Sequence, residues 1–137
     1  MYLFKNKPSI RRVFIIVKRT SDASYLLLIA NKKHVPFGLS GGRFDQEDKD
    51  PKYTAHRELF EETSLDIDST RFNYLGLLDN KLFYFLEITD TEANSIKLSH
   101  EHIDFIFYKN KENIPKLIKY HSSGTCSNAF NKFMDVI

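Results

Sequence analysis

One cysteine, Cys126, stands in a chain of 137 residues. An internal disulfide is excluded, and a reducing, cytoplasmic setting is expected. No His–Asp pairing is readable around the thiol, so it reads as a small structural hydrophobe. Long apolar runs are missing too. Nothing approaches the ~20 consecutive apolar residues that a membrane helix needs, and no membrane partner is expected. Residues 1–9 hold Lys5 and Lys7 but no apolar stretch ahead of a cleavage site, and do not read as a signal peptide. Charge of one sign is not in excess: 20 basic residues against 18 acidic ones leave a net charge of +2. That balance does not by itself imply a nucleic-acid partner, and a local basic surface still allows one, so nucleic acid is possible but not favoured. No repeat, linker or low-complexity segment divides the chain. Its length suits one domain, residues 1–137, with one core. Apolar residues are plentiful at 42%, with 12 Phe and 7 Tyr, so the core needs no staples.

Residues 11–18 contain the run Val13-Phe14-Ile15-Ile16-Val17, which reads as a buried strand. Ser21-Asp22-Ala23-Ser24 is a turn, and residues 25–30 form a second strand, pairing with the first as a hairpin. Residues 31–50 read as loop, with Pro36, Gly38, Gly41 and Gly42 and then an acidic patch. Asp50 is placed as the N-cap of a helix beginning at Pro51, where a missing N–H costs nothing. That helix is expected to end at Thr63 or Ser64. Residues 72–78 and 82–88 are two more strands turned at Asp79-Asn80, and 103–108 is a fifth. A short helix or turn lies near Pro115. Residues 127–136 form a closing helix with Ala129, Phe130, Phe133 and Met134 near one face. Without a strict βαβ alternation, the class is an α+β layered sandwich.

Chemistry concentrates in Arg57-Glu58-Leu59-Phe60-Glu61-Glu62. On a helix Glu58 and Glu62 share a face, and Glu61 lies beside them. Like charges at this spacing repel, and negative charge near a helix C-terminus opposes the macrodipole. A divalent metal such as Mg²⁺ or Mn²⁺ resolves the conflict, because hard cations take carboxylate oxygens and leave positions for water and phosphate. Arg57 is four residues from Glu61 and is placed to hold a carboxylate. Upstream, Ser40-Gly41-Gly42-Arg43 lets backbone approach a ligand closely, and its N–H groups suit an anion nest. Taken alone, the acidic run also fits a solvated helix face, and the glycine pair a plain turn.

Together these parts resemble the Nudix hydrolase family, as a small single-domain member. The family's pattern is Gly, five residues, Glu, seven residues, then Arg-Glu-apolar-x-Glu-Glu-x-Gly-apolar. Here Gly42 is followed by five residues and Asp48, then eight residues, then Arg57-Glu58-Leu59-Phe60-Glu61-Glu62-Thr63-Ser64-Leu65. Phe37-Gly38-Leu39-Ser40-Gly41-Gly42 is similar to the family's strand leading into the loop. The match covers about 30 residues directly. It departs in three places. Asp48 or Glu47 stands for the usual first Glu, with a spacer one residue longer. Ser64 replaces the helix-ending Gly, at a cost under ~1 kcal/mol. Ser40 replaces a common Pro, which is expected only to loosen the loop.

The resemblance implies a Nudix-type α/β/α sandwich with a mixed central sheet and a catalytic loop and helix. It implies Glu58, Glu61 and Glu62 as metal ligands, with Gly42 at the metal through its carbonyl or loop, and Arg57 orienting a carboxylate. Glu101, from a later loop, is the candidate for an added base or ligand. His100 and His102 are read as exposed or as touching substrate, and His34 and His56 as structural. Gly41, Gly42 and Arg43 are candidate substrate contacts, and Lys32, Lys33, Arg11 and Arg12 are further partners for phosphate. Phe37, Phe83, Tyr84 and Phe85 are candidates to stack a base. The implied reaction is metal-dependent hydrolysis of a diphosphate bond in a nucleotide-type small molecule. The acidic loop and Ser122-Ser123-Gly124 are similar to small members acting on ADP-ribose or dinucleoside polyphosphates. The alternatives are removal of diphosphate or cap from RNA 5′ ends, and a non-catalytic nucleotide-binding module. A homodimer is compatible with the family.

Overall fold

A computed structural model of the chain describes residues 9–30 and 36–137. Lys32, Lys33 and His34 lie outside the described residues. The centre is a seven-stranded mixed sheet. Strand β1 (Arg12–Arg19) buries Val13, Phe14, Ile15, Ile16 and Val17. A central strand covered on both faces reads as such a continuous apolar run. Alternation then sends Val13, Ile15 and Val17 to one face and Phe14 and Ile16 to the other, where they join different cores.

Strand β2 (Ser24–Ala30) does form a hairpin with β1, but their register holds only Lys18↔Tyr25 and Arg19↔Ser24. The two strands then part. Into the fork runs the segment expected to be loop. Phe37–Gly38 (β3) pairs with β2, and Ser40–Arg43 (β4) pairs with β1. Both pieces are too short and too glycine-rich to carry a period, so the sequence hid them. β5 (Asn73–Leu78) and β6 (Lys81–Ile88) form the expected hairpin, and Asp79 and Asn80 both take positive φ in its turn. β6 lies parallel to β1 from Arg12↔Lys81 to Arg19↔Ile88. β7 (His102–Tyr108) pairs with β2 on its far side.

Helix α1 (Pro51–Thr63) covers one face of the sheet with Ala55 and Leu59, and the short α2 (Asp90–Asn94) adds Ala93 to the same core. The sequence reading missed α2, although Thr89 and Glu92 form a reciprocal capping box there. The opposite face is covered by α3 (Ile114–Leu117) and α4 (Thr125–Lys132), through Ile114, Cys126, Ala129 and Phe130. The closing helix thus starts two residues earlier than expected and ends sooner. Phe133 continues its apolar face into the last turn. The result is the expected three-layer α/β/α arrangement. Phe83, Tyr84 and Phe85 belong to the two cores, so none of them is placed to stack a base. No helix among the described residues is long and apolar enough to cross a membrane.

Candidate active site

Asp50 caps α1 as expected, accepting from the Tyr53 N–H at 2.7 Å. The apolar stripe Ala55–Leu59 sets the helix rotation, and one turn further it carries Glu62 into the interior, where it is 7% exposed. Its Oε1 accepts from the Ser40 hydroxyl at 2.5 Å and the Gly41 N–H at 3.0 Å. Burial pushes the Glu62 carboxyl up to about 8, against those two hydrogen bonds, and the charges of Glu58 and Glu101 add to the rise. Ser40 therefore does more than loosen the loop: its buried hydroxyl holds the glutamate.

Glu58 lies one turn back. A Cβ on Gly42 would stand 2.3 Å from the Glu58 Cδ, so the missing side chain of Gly42 makes the space the carboxylate occupies. Burial raises the Glu58 carboxyl, the adjacent Arg57 lowers it, and Glu61 and Glu101 raise it again. Arg57 links the parts. It donates to Asp48 at 3.1 and 2.8 Å, to Glu58 at 2.8 Å, to Glu61 at 3.3 Å and to the Arg43 carbonyl at 3.1 Å. Asp48, not the exposed Glu47, thus meets Arg57. Its carboxylate is held down to about 2, first by Arg57, and also by the Asp45 N–H and the Thr54 hydroxyl. The longer spacer is absorbed in the turn before α1, and the aspartate still reaches.

The loop after α2 closes the helix end. The Lys97 and Ser99 N–H groups donate to the Thr63 and Glu62 carbonyls at 2.9 and 3.1 Å, and the loop brings Glu101 to the cleft. This cleft of about 790 Å³ opens at the fork between β1 and β2. Glu62, Glu101 and Gly41 line it. Glu58, Glu61, Gly42 and Arg43 do not: Glu58 and Glu61 turn toward Arg57, and only the carbonyl of Arg43 is engaged there. His102 lines the cleft, while His100 is exposed. His56 is structural as expected, donating from Nδ1 to the Ile67 carbonyl at 2.8 Å.

The sequence reading missed Lys81 and His121, both on the cleft wall. Neither lies in a motif, and no sequence signal marked them. Nδ1 of His121 accepts from the Leu39 N–H at 3.2 Å, and the ring meets Phe14 edge-on. As the side chains lie, no three His, Cys, Asp or Glu groups among the described residues converge to hold a metal ion. Each inner carboxylate is instead satisfied by a protein donor. The donor set remains all oxygen, crowded and partly desolvated, which fits a hard divalent cation and no soft one.

The NUDIX domain family model matches residues 8–129. The chain belongs to the Nudix family. This Nudix chain carries the family's class of reaction, pyrophosphohydrolysis, and the family's hydrolases generally use divalent metals. No curated protein matches it significantly. Among solved structures, an Ap4A hydrolase binary complex from C. elegans is 18% identical, with a TM-score of 0.66 over 93% of this chain and all of that one. The dihydroneopterin triphosphate pyrophosphohydrolase of E. coli is 14% identical, also at 0.66, covering 94% and 99%. The NUDIX domain of Shewanella oneidensis NrtR, complexed with ADP ribose, is 14% identical at 0.58, covering 83% and 81%. At these identities the likeness shows the shared Nudix fold.

Proposed function

We propose that the chain hydrolyses the diphosphate bond of a nucleoside diphosphate derivative, of the ADP-ribose or dinucleoside polyphosphate class, with Mg²⁺ or Mn²⁺. One observation carries this reading. Glu58 and Glu62 stand at one end of α1 against the Gly41-Gly42 strand, with the exposed Glu61 beside them on Arg57, while Glu62 and Glu101 face a cleft large enough for a nucleotide. A chain gains nothing in stability by burying one carboxylate beside another.

Glu58, Glu61 and Glu62, with the Gly42 carbonyl, would hold the cation. A bound divalent ion supplies neutralisation of phosphate oxygens and lowers the pKa of a water. The chain's own residues do the positioning. Arg57, clamped by Asp48, fixes Glu58 and Glu61. Ser40 and Gly41 orient Glu62. Glu101, which lines the same cleft as Glu62, is the candidate to take the proton of the attacking water. In phosphoryl-type transfer, positioning and charge compensation supply most of the rate, so no covalent nucleophile is required. The buried free thiol of Cys126 has no part in it, and supports a reducing, cytoplasmic setting.

The test is phosphate release from a panel of diphosphate compounds with Mg²⁺ or Mn²⁺, beside Glu62→Gln. Metal-dependent turnover that the variant loses supports the reading. Turnover at the wild-type level in the variant removes Glu62 from the site.

A further inference from the structure

The glycine-rich segment that holds Glu62 changes strands as it arrives there. Gly38 stands in register with Leu28 of β2, while Ser40 and Gly41 stand in register with Ile15 and Phe14 of β1. Leu39 falls between the two ladders and belongs to neither. It is 4% exposed, so its N–H needs an acceptor within the fold. Nδ1 of His121 supplies one at 3.2 Å, from 82 positions along the chain. The next two residues, Ser40 and Gly41, are the pair that donates to Glu62. The contacts stand on opposite faces of the sheet. Leu39 packs in the core beneath α3 and α4, whereas Ser40 opposes Ile15, which belongs to the core beneath α1. Residues 39–41 thus carry a connection from one layer to the other.

The imidazole is held in place by its surroundings. It meets Phe14 edge-on, with ring centroids 5.2 Å apart. The bare Cα of Gly38 faces it, since a Cβ there would stand 3.0 Å from its Cε1 and Nδ1. At its root, the His121 N–H donates to the carbonyl of the buried Ile118 at 2.9 Å. Just beyond, Ser122 and Ser123 take left-handed φ of 53° and 57°, a conformation kept only where the surroundings impose it. An apolar side chain of similar size would fill this space and leave the Leu39 N–H without its acceptor.

We propose that His121 is a positioning residue for the hydrolysis: by accepting from Leu39 it fixes the strand crossing from which Ser40 and Gly41 hold Glu62. It acts through the backbone of residues 39–41 and not on the substrate. The proposal rests on the hydrolase reading above, in which Glu62 binds the cation. A loosened crossing lets the Ser40–Gly41 pair drift from Glu62, and a carboxylate free to turn holds a cation less well.

Three measurements on the full chain test it, in His121→Leu, His121→Asn and Gly38→Ala. Leucine cannot accept, whereas the asparagine oxygen takes the place of Nδ1. Gly38 has no positive φ, and the three atoms nearest an added Cβ all belong to the imidazole, so alanine there displaces the ring from Leu39. The first measurement is hydrogen exchange at the Leu39 amide without metal. Protection should be lost in His121→Leu and kept in His121→Asn. The second is calorimetric binding of Mn²⁺ alone. His121→Leu and Gly38→Ala should weaken it about tenfold, the lower end of the cost of losing a group that orients a metal ligand, and His121→Asn should recover most of the loss. The third is steady-state kinetics at saturating Mn²⁺, where kcat should fall about tenfold in the same two variants with KM unchanged. A folded His121→Leu that binds Mn²⁺ and turns over like wild type overturns the proposal and leaves the hydrolase reading standing. A raised KM with unchanged Mn²⁺ affinity also overturns it, by placing the ring on substrate. If His121→Leu does not fold, wild-type Mn²⁺ affinity and kcat in Gly38→Ala overturn it equally. Mn²⁺ affinity that follows Leu39 protection through the series, with no diphosphate compound turned over, keeps the positioning role and removes the hydrolase reading.

Discussion

Glu62 is asked to be buried and to be charged. Its place on the stripe after Leu59 forces the first, and the proposed cation requires the second. The sign of the pH dependence follows. A carboxyl that sits at about 8 when folded and near ~4.3 when unfolded holds its proton more firmly in the folded state. Its contribution is full below the unfolded value and is lost as pH rises through about 8. In chelator, the wild type should therefore lose thermal stability across that window, and Glu62→Gln should lose less and melt higher at pH 8. Activity moves the other way. Replacing a group that only supports a ligand costs ~10–100-fold, so Glu62→Gln should cost at least ~100-fold in kcat/KM. A thermal-shift series in pH, run beside the rate measurement, checks both signs. Ser40 belongs at this scale too. The resemblance leads one to expect Pro there, and only the folded chain turns the serine into a hydrogen-bond donor to Glu62.

Helix α1 illustrates how local rules are kept at one end and broken at the other. The Asp50 cap and Pro51 were legible because both act through the first turn alone. Its end was legible too, since Ser64 takes the left-handed conformation that Gly adopts without cost, at φ 65°. Ser64→Gly should then stabilise the protein by a few tenths to ~1 kcal/mol, reduced by loss of the exposed hydroxyl contact to the Lys97 carbonyl. A shift of the urea midpoint at constant slope would register it. The buried clamp between Asp48 and Arg57 joins this helix to its preceding loop. Asp48→Asn leaves Arg57 without its main partner and should cost about 2–3 kcal/mol. The same denaturation measurement checks it. The sequence left Asp48 and Glu47 open because the choice depends on which of them the turn buries against Arg57.

Across the whole molecule, two cores sit on opposite faces of one sheet. Phe130 fills the second, edge-on to Tyr25 at 5.5 Å, and Phe130→Ala should cost ~3–5 kcal/mol. Because α4 also carries Thr125, which accepts from Lys81 on the cleft wall, the variant should raise KM before it lowers kcat; steady-state kinetics below its melting point would tell. Acid should unfold the protein through its arginine–carboxylate clamps. Asp48 and Glu92 are both held down to about 2 when folded, each first by its arginine. Their stabilisation is complete above the unfolded carboxyl values and is lost as pH falls from ~4 through about 2. Circular dichroism across that range should show a cooperative loss that is shallower in Asp48→Asn. By itself, the sequence determined the family pattern, α1 with both its ends, the longer strands and the acidic face, since each is written in neighbouring residues or in a short period. Tertiary structure alone decided the rest. It set β1 parallel to β6, placed two short strands in the fork, and chose which glutamates face the cleft. It also gathered Arg12, Lys81 and His121 on one wall. Those outcomes depend on strand register and on burial between residues far apart in the chain, and no local pattern carries that information.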